Sequence, residues 1–223
     1  MPRQISKKIF LYLFLFISLA TLSNKNLINL QFPNINQIDI LGFDQTENIE
    51  LYKNLEFLKS ENLFFLNKEK IKKILNSNNL VESYHVFKKF PSTLILTINK
   101  TNYLAITKKG EQLYFIGSNN KLIKINNQYL KLPQIFGNFK IKEFNQIKQF
   151  IDESKFEYSA IKFLYFFPSG RWDIHMSSGT VIKLPKSKIK EKLKLAYSLS
   201  TSDEFKNLTL IDVRQKNQIV INE

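Results

Sequence analysis

The run Val81-Glu82-Ser83-Tyr84-His85-Val86-Phe87-Lys88-Lys89-Phe90-Pro91-Ser92-Thr93-Leu94-Ile95-Leu96-Thr97-Ile98 reads as two strands and the turn that joins them. Val81 to Phe90 is one strand. Phe90-Pro91-Ser92-Thr93 breaks it, and Leu94, Leu96 and Ile98 then alternate with Ile95 and Thr97 as the next. Working back from this hairpin, Leu66-Asn67-Lys68-Glu69-Lys70-Ile71 opens a helix, with Asn67 as cap and Leu66 and Ile71 at the two staple positions. Ile71, Ile74 and Leu75 give that helix a buried face, and Asn76-Ser77-Asn78-Asn79 stops it. Further back, Leu51, Leu55 and Leu58 fall on one face of an earlier helix. Asp44 and Thr46 are both capable caps for it, and Glu47 stands three residues after Asp44, a capping-box spacing. Before that, Ile38 and Ile40 point one way and Asp39 the other, as in a half-buried strand that Gly42 ends. Strand, two helices and two strands in about 65 residues predict a small α+β unit, a sheet with helices on one face.

Downstream the chain turns β-rich. Leu104 to Thr107, Leu113 to Ile116 and Leu122 to Ile125 are short strands, with turns at Lys109-Gly110 and Gly117-Ser118-Asn119-Asn120. Phe144, Ile147, Phe150 and Ile151 mark an amphipathic helix; Ile161, Phe163, Tyr165 and Phe167 alternate as a strand that Pro168-Ser169-Gly170 turns. Arg171-Trp172-Asp173-Ile174-His175-Met176 and Val181-Ile182-Lys183-Leu184 are the arms of a hairpin around Gly179. Ile189, Leu193 and Ala196 share a helix face, and Ile211-Asp212-Val213-Arg214 and Ile219-Val220-Ile221 close the chain as strands. All six glycines fall at element ends or turns, and none form a phosphate-cradling cluster.

At the other end, Ile9 to Leu22 carries no charge and only two hydroxyls, with Arg3, Lys7 and Lys8 directly before it. Ile9, Phe10, Leu11, Leu13, Phe14, Leu15, Phe16, Ile17, Leu19 and Leu22 would face lipid, and the basic cluster would stay cytoplasmic. The run spans roughly 21 Å against a hydrocarbon core of about 30 Å, so Lys7 and Lys8 must lift their charges to the interface on apolar stems. A cleaved signal peptide is the rival reading, since Ser18-Leu19-Ala20 is a small-x-small triplet. A buried core helix fits poorly, because the run is apolar all round.

Composition limits the chemistry. Cysteine is absent, which removes disulfides, thiolate metal sites and a cysteine nucleophile. Lys and Arg exceed Asp and Glu by 33 to 19, for a formal charge of +14. Yet arginine occurs only as Arg3, Arg171 and Arg214. Base readout and bidentate phosphate contacts favour arginine, so no nucleic-acid partner is expected. His85 and His175 lie far apart with no second histidine at ligand spacing, and no G-x-S-x-G or H-E-x-x-H occurs. Asp173 could be a lone general base; the blander reading packs Trp172 in the sheet and leaves Asp173 to solvent or a basic neighbour. Asp212 and Arg214 stand two apart on one strand and so on one face, as a salt-bridged pair or as a polar clamp beside a partner. No catalytic residue, cofactor, metal or small-molecule substrate is expected.

Ile38-x-Ile40-x-Gly42 in front and Phe90-Pro91-x-x-Leu94-x-Leu96 behind resemble a POTRA domain, and their place after one apolar segment resembles the FtsQ/DivIB family of cell-division proteins. Leu132-Pro133-x-x-x-Gly137 resembles that family's loop after the meander, and the hairpin from Arg171-Trp172-Asp173 to Lys183-Leu184-Pro185 and Ile211-Asp212-Val213-Arg214 are similar to its later motifs. Lys100, Tyr103 and Gln215 depart from its usual residues. The resemblance implies a fold class of α+β. It comprises a short cytoplasmic segment over residues 1–8, a single transmembrane helix over 9–24, a POTRA domain (βααββ) over 34–101, and a mostly antiparallel β domain with peripheral helices over 102–223. It implies a non-enzymatic bitopic scaffold of the division septum, inserted in the bacterial inner membrane with its bulk periplasmic. Its partners would be membrane proteins resembling FtsB and FtsL, and other division proteins through the POTRA domain. The alternative is an exported POTRA protein of an outer-membrane assembly or secretion system.

Ile211, Asp212, Val213, Arg214, Ile219, Val220 and Ile221 are the expected partner site. Their alternation lets each strand bury one face, and a terminal strand is often a sheet edge with unpaired N–H and C=O groups. The N–H of Val220 is the expected free donor for an added strand.

Overall fold

The computed structural model describes residues 7–23, 32–125, 130–202, 205, 208–216 and 218–222. The expected cytoplasmic residues 1–6, with Arg3, and most of the connector after the apolar segment lie outside the described residues. So does the side chain of Leu22.

The apolar segment forms α1 (Lys7–Ser23), a helix of 17 residues. That is about 25 Å of rise. Among the described residues no helix is long and apolar enough to cross a membrane. The expected transmembrane helix over 9–24 is therefore met by a helix shorter than a full span. Its two internal hydroxyls are satisfied within it: Ser18 Oγ donates to the Leu15 carbonyl and Thr21 Oγ1 to the Ile17 carbonyl, each at 2.9 Å.

The chain divides into two compact units, residues 1–72 with 85–97, and residues 73–84 with 98–223. The first holds β1 (Gln37–Leu41), α2 (Gln45–Leu55) with a 3-10 turn over Glu56–Ser60, and the start of α3 (Lys68–Ser77). β2 (Val81–Lys89) and β3 (Thr93–Lys100) run from one unit to the other. These strands form a sheet in the order β1-β3-β2, with β1 parallel to β3 and Ile38 beside Leu94. α2 starts where its caps require: Asp44 accepts the Glu47 N–H at 2.9 Å and Glu47 accepts the Asp44 N–H at 3.2 Å. Asn67 caps α3 by accepting the Glu69 N–H at 3.0 Å. Leu51, Leu55, Leu58, Leu63, Ile71, Leu94 and Leu96 are all essentially inaccessible to solvent.

The second unit is built on one nine-stranded sheet. Its strands are β4 (Tyr103–Lys109), β5 (Gln112–Gly117), β6 (Leu122–Lys124), β7 (Gln134–Phe136), β8 (Ile161–Phe166), β9 (Trp172–Met176), β10 (Val181–Lys183), β11 (Leu210–Asp212) and β12 (Val220–Asn222). They lie in the order β12-β11-β10-β9-β8-β7-β4-β5-β6. Three neighbours are parallel, β4 with β7, β7 with β8 and β10 with β11; the other five ladders are antiparallel. Parallel neighbours need a crossover, and α4 (Ile141–Asp152) and α5 (Ile189–Ser200) supply two of them, between β7 and β8 and between β10 and β11. Both crossovers start from strands of the same direction and step the same way along the sheet. The right-handed rule therefore puts both helices on one face. The core agrees. Phe144, Ile147 and Ile151 of α4 and Leu193 and Ala196 of α5 pack with Ala105, Ile116, Ile135, Leu164, Ile174, Ile182 and Ile211 of the sheet.

The hairpin tryptophan is where packing predicts: Trp172 is buried against Phe166 and Phe139, ring centres 4.8 and 6.1 Å away. Asp173 is not left to solvent; only 5% of it is exposed. Leu132 to Gly137, expected as a loop, contains β7.

Candidate functional site

With both helices on one face, the other face of the large sheet carries the alternate residues, and among the described residues its last strand, β12, is an edge. Hydrogen-bond parity decides which groups on that edge are open. The N–H of Val181 donates to the Thr209 carbonyl at 2.9 Å and that of Val213 to the Lys183 carbonyl at 3.1 Å. Odd-numbered residues of β11 thus bond β10, so Leu210 and Asp212 turn to β12, where they pair with Asn222 and Val220. Asn222 accordingly faces inward, and its carbonyl also accepts from the Thr209 N–H at 2.8 Å. By the same alternation Val220 faces β11, and the outward N–H and C=O on β12 belong to Ile221. The outward-facing donor is therefore Ile221, not Val220 as the sequence suggested.

The seven expected partner residues are brought together but divide sharply. Ile211 and Val213 are completely buried in the core; Ile211 lies in β11, and the Val213 N–H donates to the Lys183 carbonyl just beyond it. They build the platform on which the edge strand lies. Asp212 is nearly buried on the open face, whereas Val220 is 53% and Ile219 40% exposed.

Beside the edge runs a charged row. Cross-strand register aligns Tyr165, Asp173, Lys183, Asp212 and Val220 from β8 to β12. Arg214 closes on Asp212 with Nε 2.8 and 3.0 Å from its two carboxylate oxygens and Nη2 2.5 Å from Oδ2. These guanidinium bonds hold the Asp212 carboxyl below the usual carboxylate range, and the carboxylate raises Arg214 in return. Asp173 behaves oppositely: burial pushes its carboxyl up, against the pull of Arg171, Lys183 and Arg214. Arg171 Nε stands 3.9 Å from Asp173 Oδ1, an ion pair too long for a hydrogen bond, and both buried atoms lack a hydrogen-bond partner among the described residues. The Arg171 guanidinium lies instead over the Phe167 ring, 4.1 Å from its centre.

One step along the open face Phe136, Phe163, Tyr165 and His175 form an aromatic cluster. Phe136 stacks on Tyr165 at 4.9 Å and Tyr165 lies 4.7 Å from His175. Burial pushes the His175 imidazole below its ordinary value. Among the described residues no three His, Asp or Glu side chains gather as a metal site. The arrangement can offer a backbone edge, a row of alternating charge and an aromatic platform. Those are the parts of a protein-binding surface.

Two family descriptions cover the chain: POTRA domain, FtsQ-type, matches residues 33–100, and Cell division protein FtsQ/DivIB, C-terminal, matches residues 96–214. The chain belongs to the FtsQ/DivIB family. The cell division protein FtsQ of Rickettsia bellii is 24% identical over 196 residues, which is 85% of this chain and 72% of the relative. FtsQ of Agrobacterium fabrum is 21% identical over 192 residues, 84% of this chain and 60% of that one. A solved extracytoplasmic domain of DivIB from Geobacillus stearothermophilus overlays 43% of this chain and 87% of that one at a TM-score of 0.33 and 11% identity, too slight to argue from. Membership of FtsQ/DivIB makes this a scaffold of the bacterial division machinery. An outer-membrane assembly role is not favoured. The family is non-enzymatic, and its members act with other division proteins.

Nothing in the sequence pattern marks the aromatic cluster or the Arg171–Asp173–Lys183 row as neighbours of the edge. The alternation of Phe163 and Tyr165 was visible, but not the face they occupy. A register shift between Ile161 and Phe163 reverses it: Ile161 and Leu164 enter the core, and Phe163 and Tyr165 point away.

Proposed function

We propose that this FtsQ-family chain is a single-pass scaffold of the inner membrane at the septum. Its N-terminus is cytoplasmic, a POTRA domain over 34–101 receives other division proteins, and a β domain over 102–223 takes up a strand from partners resembling FtsB and FtsL. It performs no catalysis. The observation that carries this reading is the β12 edge, where Ile221 turns its N–H and C=O away from β11. A partner strand gains main-chain hydrogen bonds there, and Val220, the Asp212–Arg214 pair and Lys183 give it side chains to recognise. The anchor reading is supported by α1, whose apolar side chains are exposed all round, from Leu15 at 46% to Phe16 at 74%. Its shortfall of a few Å is within what snorkelling Lys7 and Lys8 and local bilayer thinning accommodate.

Replacement of the protein in its native cell tests the edge. Ile221→Pro removes the outward donor, and Ile221→Ala removes most of the same side chain but keeps the N–H. One lost edge bond is worth about 1 kcal/mol, roughly a five-fold loss of affinity. The proline variant should therefore capture less FtsB- and FtsL-like protein than the alanine variant and leave filamentous cells. Equal capture by the two variants would move the partner site off this edge.

A further inference from the structure

The first unit carries an aromatic surface that the partner edge does not use. Three segments meet at one end of that unit. The Asn62 side chain donates to the carbonyls of Phe32 (2.7 Å) and Pro33 (3.2 Å) and accepts the Phe64 N–H at 2.8 Å. The Ile35 N–H donates to the Glu61 carbonyl and the Asn36 N–H to the Ser92 carbonyl, both at 2.9 Å. The incoming chain is thereby fastened to the 61–65 loop and to the β2–β3 turn. On these segments stand Phe32, Phe64 and Phe90, with ring centres 4.2 and 4.7 Å apart in sequence along the row. They are 40%, 49% and 53% exposed, and Phe65 beside them is 81% exposed. A contiguous aromatic patch in water is costly unless something covers it.

Two observations name the cover. The first is tether length. From Ser23, the end of α1, to Phe32 is nine residue steps, at most about 30 Å of chain. The patch begins where that tether ends, so it cannot leave the neighbourhood of the helix terminus. The second is charge. Residues 56–72 and 85–92 hold six lysines against three glutamates. Of those glutamates, Glu61 is paired with Lys70 at 2.9 Å and Glu69 lies 3.8 Å from Lys72. Lys68 and Lys89 flank Phe65 and Phe90, and Lys88 Nζ donates to the Leu63 carbonyl beside Phe64. Aromatic rings and lysines side by side suit the headgroup region of a bilayer, where rings settle at the interface and lysines meet anionic lipid.

We propose that Phe32, Phe64, Phe65 and Phe90, with Lys68 and Lys89, dock this end of the first unit on the anionic lipid surface beside α1. The proposal rests on α1 being the anchor. The unit is then held as a platform against the bilayer.

The chain has no cysteine, so single labels are clean. The full chain is reconstituted in phosphatidylethanolamine vesicles containing one quarter phosphatidylglycerol, with an environment-sensitive fluorophore on Phe65→Cys, Phe14→Cys or Ser178→Cys. The label at 65 should shift to the blue and resist an aqueous quencher, while the label at 178 stays in water. Each lysine near an anionic surface contributes about five-fold, so Lys68→Gln with Lys89→Gln should lower the docked-to-free ratio about 25-fold. Phosphatidylcholine vesicles should weaken docking similarly. A label at 14 in lipid with a label at 65 in water overturns the proposal and leaves the anchor standing. A label at 14 in water defeats the anchor itself. Protection at 65 that persists in detergent without lipid overturns the proposal in favour of a protein contact, and protection indifferent to lipid charge and to both lysines overturns the assignment of anionic lipid.

Discussion

Asp173 and Asp212 sit on one face of the large sheet, separated in register by Lys183, and their carboxyls are shifted in opposite directions. Asp212 is held down by Arg214, so its stabilising contribution is present above the unfolded value of about 3.9 and is lost as pH falls through the lower folded value. Arg214→Gln should cost about 1 kcal/mol at neutral pH, since Arg214 keeps 35% of its side chain in water, and should flatten the acid limb of the stability curve. Asp173 is pushed up by burial. Its protonated form favours the folded state, a contribution complete below the unfolded value and lost as pH rises through the folded one. At neutral pH its charge is therefore a burden, and Asp173→Asn should leave stability equal or higher there, with the gap closing towards acid. Urea unfolding of both variants across pH checks this, and a clear loss for Asp173→Asn at neutral pH would contradict it. The Asp212–Arg214 pair was legible because a two-residue spacing on a strand shares a face. The burial of Asp173 was not, because neighbours from β8, β10 and the Arg171 turn create it, and no local pattern reveals them.

At the scale of elements, every strand and helix with a run of alternating or helical apolar spacing was legible, including both caps of the first unit. β7 was not. Three residues after Leu132-Pro133 are too few to show a period, and the strand exists because β4 and β8 bind it from both sides. Its exit explains the glycine that follows. Gly137 has φ +104°, and a Cβ there would stand 2.1 Å from the Phe166 carbonyl oxygen. Gly179, in the turn between β9 and β10, has φ +98° but open space around it. Gly179→Ala should thus cost only the left-handed penalty, about 1 kcal/mol. Gly137→Ala must also displace β8 and should cost about 3 kcal/mol. Thermal unfolding ranks the two, and equal losses would mean that β7 and β8 yield freely at this point. The edge position of β12 is legible because a terminal strand is often a sheet edge. Which of its residues turns outward is not, because that depends on how β11 is bonded to β10.

At the scale of the molecule, the order of elements announced a small α+β unit followed by a β-rich one, but the division of contacts does not follow chain order. Residues 73–84 cluster with 98–223, although they complete α3 and begin β2. Side chains of the turn after β5 account for this. The Asn119 amide donates to the carbonyls of Asn79 (2.8 Å) and Val81 (2.9 Å), and its oxygen accepts the Lys121 N–H at 3.0 Å. Ser118 Oγ donates to Glu82 at 2.7 Å, and Lys121 Nζ donates to the carbonyl of Asn78 at 3.0 Å. Polar turn residues announce a turn; nothing in their sequence says that they satisfy the backbone of a helix end forty residues earlier. Asn119→Ala in the full chain leaves two carbonyls and one N–H without these partners and should cost about 2 kcal/mol. A fragment of residues 34–101 lacks the whole turn. It should still give dispersed amide resonances from the Leu51, Leu55, Leu58 and Leu94 core, but amides of 76–82 should exchange with solvent far faster than in the full chain. Hydrogen exchange on both proteins decides the matter: equal protection of 76–82 in the fragment would mean that the Asn119 turn only decorates a helix end that is already stable by itself.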